Sequence, residues 1–189
     1  MSASDMVIDK QALRVEMRAL RKRLADAAPD SAIAVAGFVN ELPPGNTVAV
    51  YRAVGSEMDP ELLADALIVA GRSLCLPVAT ERDKALLFRR WSAEEPLEMD
   101  VAGCPAPLPL AETVDPDLII TPLLAFDDAG GRLGQGGGYY DRTFLARPDA
   151  VRIGLAFAGQ RVDRLPMESH DVPLHGVLTE VGYTPARKV

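Results

Sequence analysis

Asp117-Leu-Ile-Ile-Thr121-Pro-Leu-Leu-Ala-Phe126-Asp-Asp-Ala-Gly-Gly-Arg132-Leu-Gly134-Gln-Gly136-Gly-Gly138-Tyr-Tyr-Asp141-Arg142 carries the strongest structural signal in the chain. Asp117 to Thr121 predicts a strand, and its apolar centre, Leu118 to Ile120, is what a parallel sheet covered on both faces requires. Downstream, closely spaced glycines let the backbone take positive φ and approach an anion, and successive amides can cradle phosphate oxygens. Tyr139 to Leu145 predicts a helix whose positive end faces the same place. Composition alone would allow a glycine-rich surface turn. The flanking Arg132, Arg142, paired tyrosines and Asp141 favour an anion site, with Asp141 available to magnesium if it faces the cleft. The spacing matches neither the dinucleotide fingerprint nor a P-loop, because there is no G-x-G-x-x-G and no Gly-Lys-Ser/Thr ending.

Working outward, Thr47 to Tyr51, Ser73 to Pro77, Ala85 to Arg89, Val151 to Phe157 and Gly176 to Glu180 predict further strands, the last of these closing the sheet. Leu13, Met17, Leu20 and Leu24 recur at helical spacing within Asp9 to Ala28, beside a stripe of Lys10, Arg14, Arg18 and Arg21. That stripe is either a solvated face or, through Lys10 and Arg14 one turn apart, a seat for a polyphosphate. A second helix is expected over Ser31 to Glu41, before Pro43-Pro44-Gly45, and a third over Pro60 to Ala70 with Asp59 as its cap. Glu57, with no such capping role, stands at the carboxyl end of a strand, where open α/β folds bind ligands. Glu94 to Pro116 reads as a long covering loop, and Trp91 is a possible wall of the pocket.

Alternating strands and helices predict one α/β domain over residues 1–189, with a mainly parallel sheet. The formal net charge of −7 argues against broad nucleic-acid binding. No stretch is long and apolar enough to span a bilayer or serve as a signal peptide, so no membrane partner and a cytoplasmic location are expected. Cys75 and Cys104 are expected to be free thiols. His170 and His175 lack the company a zinc site needs, and no serine elbow or Cys-His pair suggests a covalent intermediate. Asp171, between prolines beside a strand, could meet Asp141 across the cleft and share magnesium with it.

Taken together, several motifs resemble the 5-formyltetrahydrofolate cyclo-ligase family, also called methenyltetrahydrofolate synthetase. They are Lys10-x-x-x-Arg14, Tyr51 with Ser56-Glu-Met-Asp59, Pro77, the Asp117 strand into Pro122, Phe126-Asp127 with Gly130, Arg132 through Arg142, and His170-Asp171 before Thr179-Glu180. One departure is Gly103-Cys-Pro-Ala-Pro107, where the family usually carries a glutamate-proline pair. The resemblance implies a three-layer α/β/α sandwich related to the NagB/RpiA group; a monomer is expected. It implies that Lys10, Arg14, Arg132, Gly134, Gly136, Gly137, Gly138, Tyr139, Tyr140 and Asp141 contact ATP. Tyr51, Glu57 and Tyr140 would hold the folate, Asp141 and Asp171 would serve Mg2+, and Glu57, Arg132 and Tyr140 would form the catalytic set. Leu133 and Gln135 receive no chemistry. The implied reaction is ATP-driven ring closure of 5-formyltetrahydrofolate to 5,10-methenyltetrahydrofolate. A phosphosugar isomerase and a non-catalytic nucleotide-binding regulator are the competing readings.

Overall fold

A computed structural model describes residues 9–168 and 171–187, so His170 lies outside the described residues. In chain order the elements are α1 (Lys10–Ala27), α2 (Ser31–Gly37), β1 (Thr47–Ala49), α3 (Glu61–Val69), β2 (Ser73–Val78), β3 (Leu87–Arg90), β4 (Leu97–Met99) and β5 (Pro105–Pro107). They continue with β6 (Leu118–Pro122), β7 (Ala125–Phe126), β8 (Arg132–Leu133), α4 (Tyr139–Ala146), β9 (Val151–Leu155), β10 (Gly176–Thr179) and β11 (Gly182–Pro185). Seven strands form one sheet in the order β11-β10-β9-β6-β1-β2-β3. The pairs from β10 to β2 are parallel, while β11 and β3 close the two edges antiparallel.

Strand periodicity divides the core. Val48, Leu74, Leu76, Leu118 and Ile120 point to one side and pack under Val35 of α2 and Leu63 and Leu67 of α3. The alternating Ala49, Cys75 and Ile119 point to the other, under Phe144 of α4 and Phe88. This is the expected three-layer sandwich. Opposite crossovers explain it. From β1 the chain moves one way to β2 through α3, and from β6 it moves the other way to β9 through α4. Right-handed connections running in opposite directions must use opposite faces of a sheet.

Caps and staples fix the ends of these elements. Asp9 accepts the Gln11 amide at 2.8 Å and starts α1. Asp59 accepts the Glu61 amide at 3.0 Å at the start of α3. The Asp117 carboxylate takes the amides of Asn46 and Thr47, each at 2.8 Å, tying the start of β1 to its neighbour β6.

Three expectations need correction. The segment from Glu94 to Pro116 holds a hairpin, β4 against β5, with Glu98 opposite Ala106. Its prolines disguise it, since proline donates no ladder hydrogen bond. The final strand is β11, a short polar edge strand, and β10 lies inside it. The second helix stops at Gly37 and continues only as a 3-10 turn over Val39–Glu41. Cys75 is buried and Cys104 exposed, and both are free thiols. Among the described residues no helix is long and apolar enough to cross a membrane.

Candidate functional site

β1 has β2 on one side and β6 on the other, so the chain reverses its direction across the sheet there. Loops leaving the carboxyl ends of two such strands diverge and leave a crevice. A cavity of about 850 Å3 lies there, lined by α1, the segment after β1, the ends of β2 and β6, the β4–β5 turn, the glycine loop and residues 168 and 171. All residues nominated from the sequence line it: Lys10, Arg14, Tyr51, Glu57, Arg132, Gly134, Gly136 to Asp141, and Asp171.

One end is polar and carries the glycine loop. Gly136 and Gly138 take φ of +104° and +65°, and Gly138 is the left-handed residue from which α4 departs. A side chain at Gly138 would meet the Arg142 guanidinium at 2.7 Å. The Arg14 Nε donates to the Gly134 carbonyl at 3.1 Å, and Arg18 donates to the Gln135 side-chain oxygen at 2.9 Å. The Lys10 Nζ sits 2.8 Å from both Asp171 Oδ2 and Glu168 Oε1. Burial works against its ammonium, but the hydrogen bonds and charges of those carboxylates outweigh it and hold the Lys10 pKa above the ordinary value.

The other end is more enclosed, the drier of the two. Tyr51 is buried and its hydroxyl donates to the Met58 carbonyl at 2.5 Å. Glu57 accepts the Val54 amide at 3.0 Å and faces the Arg21 guanidinium at 3.5 Å. Burial pushes the Glu57 carboxyl upward, opposed by the Val54 amide, Arg21 and a hydrogen bond from the Gln135 side chain. Burial, reinforced by the neighbouring Glu57 charge, also lifts the hydroxyls of Tyr51 and Tyr140 well above the usual tyrosine range. Both tyrosines therefore stay neutral donors at physiological pH.

Between the two ends lies Arg132. Its Nη2 donates to Asp141 Oδ1 at 2.5 Å, and its guanidinium stands 6.0 Å from the Tyr140 ring centre. Its Nε is buried without a hydrogen-bond partner. A buried donor left unpaired costs about 1–3 kcal/mol, so this atom marks a place where a ligand acceptor would be favoured.

The geometry departs from expectation in three places. Asp141 and Asp171 both line the cleft, but each is held by a cation, Arg132 and Lys10 respectively, and not by the other. Arg142 braces the loop from outside, donating to the carbonyls of Gly137 at 2.7 Å and Lys84 at 3.2 Å. Trp91 belongs to the core beneath α2 and α3, with Arg52 5.7 Å over its ring. His175, isolated from other metal ligands in the sequence, has the expected surface and structural role, taking the Arg152 amide at 3.0 Å.

Two contributors escaped the sequence reading. Gln135 accepts from Arg18 and lowers the Glu57 pKa from between two glycines, a place with no pattern to reveal it. Arg21 did leave a signal. It lies four residues after Met17 and three before Leu24, on the apolar seam of α1, where an arginine is buried.

A mainly parallel α/β sheet with a phosphate-type glycine loop and a buried carboxylate at its switch point defines an α/β ligand-binding enzyme scaffold. The sequence profile of the 5-formyltetrahydrofolate cyclo-ligase family matches residues 7–180, and the chain belongs to that family. It is 33% identical over 183 residues to a 5-formyltetrahydrofolate cyclo-ligase of Haemophilus influenzae, across 89% of this chain and 96% of the relative. An Escherichia coli protein of the same name is 36% identical over 148 residues, covering 71% of this chain and 78% of that one. The NMR structure of Aquifex aeolicus 5,10-methenyltetrahydrofolate synthetase superposes with a TM-score of 0.80 at 28% identity, covering 95% of this chain and 94% of the other.

Proposed function

We propose that this protein uses ATP to close 5-formyltetrahydrofolate to 5,10-methenyltetrahydrofolate, releasing ADP and phosphate. The observation that carries this reading is a single cleft in a chain of this family, with a basic glycine loop at one end and the Glu57, Tyr51 and Tyr140 cluster at the other. A triphosphate on the loop would face a reduced folate held by the cluster.

An amide oxygen is a poor leaving group, and that is the chemical obstacle to ring closure. Attack of the formyl oxygen on the terminal phosphorus breaks the bond to ADP and converts that oxygen into a phosphate ester. Folate N10 then adds to the activated formyl carbon. Loss of phosphate, with the N10 proton passing to solvent, leaves the amidinium ring. Lys10, Arg14 and the loop amides hold the phosphates, and Arg132 meets charge growing on the transferred group. Glu57 accepts hydrogen bonds from the pterin, while Tyr140 lies along the path between the two substrates. Holding the oxygen and the phosphorus in line supplies the rest of the acceleration.

The donor set fits magnesium in its usual nucleotide-bound form. Among the described residues no group of three or more His, Cys, Asp or Glu side chains could hold a metal unaided. Magnesium needs only one or two carboxylates when phosphates and waters complete its shell, and Asp141 and Asp171 both reach the cleft. Bound there, it would neutralise phosphate charge. Phosphates arriving beside Lys10 and Arg132 would compete for the cations that now occupy these carboxylates.

We also propose that the chain acts as one domain and a monomer; the one-domain reading is supported by a seven-stranded sheet with helices packed on both faces. Light scattering of the purified protein tests this. The activity is tested by ultraviolet absorbance of the methenyl product on mixing protein, magnesium, ATP and 5-formyltetrahydrofolate, omitting each in turn. Product forming equally well without ATP would overturn the proposal, as would the absence of product with all components present.

A further inference from the structure

Arg21 is a cation placed where a leucine or methionine would satisfy the packing of α1. Its side chain is 6% exposed and that of Glu57 8%, so the pair is largely withdrawn from water, with Glu57 at the cavity wall. Removing two charges from water is costly, and a pair so buried contributes little stability against an apolar replacement. Such a pair needs a reason other than folding.

Its contacts supply one. The guanidinium touches three groups on two segments, with Nε 3.3 Å from Ser56 Oγ and Nη1 3.5 Å from Glu57 Oε1 and 3.4 Å from the Leu123 carbonyl. Ser56 and Glu57 follow β1, and Leu123 follows β6, so Arg21 ties together the two chain segments that diverge at the switch point. Meanwhile Glu57 Oε2 takes the Val54 amide at 3.0 Å. One oxygen is gripped by Arg21 and the other by the backbone, which fixes the plane of the carboxylate at the cavity wall.

Resting on the folate reading above, we infer that Arg21 is a positioning residue for substrate, holding Glu57 ionised and aimed so that it accepts hydrogen bonds from the pterin. The groups facing Glu57 are Arg21 from α1, Tyr51 from the end of β1, Tyr140 from α4, Cys104 from the β4–β5 turn and Gln135 from the glycine loop. Arg21 is the cation among them. Burial favours a neutral carboxyl, which would present a donor to a pterin edge already rich in N–H groups. Arg21 keeps the acceptor form. Lysine cannot reproduce this, because a single ammonium has no planar fork to reach Ser56, Glu57 and Leu123 together.

The test is the affinity for 5-formyltetrahydrofolate, measured by calorimetry from acid to neutral pH, in the parent, Arg21→Met, Arg21→Lys and Glu57→Gln. In the parent, affinity rises as Glu57 ionises. In Arg21→Met that rise should move to higher pH, giving about tenfold or greater loss at a pH where the parent is saturated in its ionised form. Arg21→Lys should fall between the two. ATP affinity should change by no more than about twofold, since that end of the cleft relies on other groups. Glu57→Gln should flatten the profile, and adding Arg21→Met to it should cause no further displacement. The double variant also removes the unpaired buried charge, so it remains measurable if Arg21→Met alone folds poorly. A Arg21→Met profile merely lowered, with its midpoint unmoved, would overturn the inference while leaving the activity in place. Failure of the parent itself to bind the folate would instead overturn the function on which the inference rests.

Discussion

The two ends of the cleft solve opposite problems. At the glycine loop, charges are numerous, partly exposed and already matched: Lys10 with Asp171 and Glu168, Arg18 with Gln135, Arg14 with a loop carbonyl. At the far end a few polar groups are nearly sealed, and burial raises the pKa values of Glu57, Tyr51 and Tyr140 together. A wet end can bind a highly charged ligand through many replaceable contacts, whereas a dry end must orient its ligand through few. Damage to the dry end should therefore cost most per residue.

The sharpest way to break that contrast is Glu57→Ala. It removes the acceptor of the dry end and leaves Arg21 buried without its counter-charge, so turnover should fall about 1,000-fold and the melting temperature should drop as well, a lost buried partner being worth about 3–5 kcal/mol. Product absorbance and thermal melts check both. Because the folded-state pKa of Glu57 lies above its ordinary value, its contribution to stability is full below the ordinary carboxylate pKa and is lost as pH rises through the raised one. Glu57→Gln should remove that slope from the parent's stability profile, and an unchanged slope would mean that Glu57 is not the group responsible.

Asp141→Asn comes next, because Asp141 stands at the junction of the two ends. It weakens the grip on Arg132 and removes a carboxylate from the phosphate side, so turnover should fall about 100-fold. The melting temperature should move far less than in Glu57→Ala. Equal turnover in variant and parent would remove Asp141 from the chemistry.

Lys10→Met probes the wet end alone. ATP KM should rise about tenfold with kcat nearly unchanged, the low end of what a charged hydrogen bond supplies. Its linkage has a definite sign. The folded Lys10 pKa is raised above 10.5, so the stability it contributes is full below that value and is lost as pH climbs through the raised one. The melting difference between parent and variant should therefore shrink in that alkaline window. A kcat effect as large as that of Glu57→Ala would erase the distinction between the ends.

The same contrast explains which features could be read from the sequence. The parallel strands and α1 announce themselves because an apolar run or a 3.6-residue seam is a local property, and so is the glycine loop. Pairings made by distant segments leave no such trace. Lys10 and Asp171 are 161 residues apart, and the sequence offered Asp171 to Asp141 instead. The β4–β5 hairpin was obscured by its prolines, and β11 by its polarity as an edge strand. Gln135 could be found only once the loop's fold carried it to Glu57. Arg21 differs from these, since its position on the apolar seam was visible and only its charge drew the eye toward solvent.

Arg142 gives the smallest effect and the most precise boundary to the site. Its sequence position beside the glycines suggests a phosphate ligand, yet its guanidinium lies outside the loop, on the Gly137 and Lys84 carbonyls and 5.2 Å over the Tyr139 ring. It lines a second cavity of about 280 Å3, which shares Gly136 to Gly138 and Asp141 with the main cleft but does not share Arg142. A brace of this kind steadies the loop without touching what the loop holds, so Arg142→Met should reduce turnover only about threefold, through a modest rise in ATP KM and about 0.5–1.5 kcal/mol of stability. Loop amide exchange should quicken while folate affinity stays constant. A loss as large as that of Asp141→Asn would mean that the guanidinium swings inward when nucleotide binds, and the boundary of the wet end would then have to be redrawn to include α4.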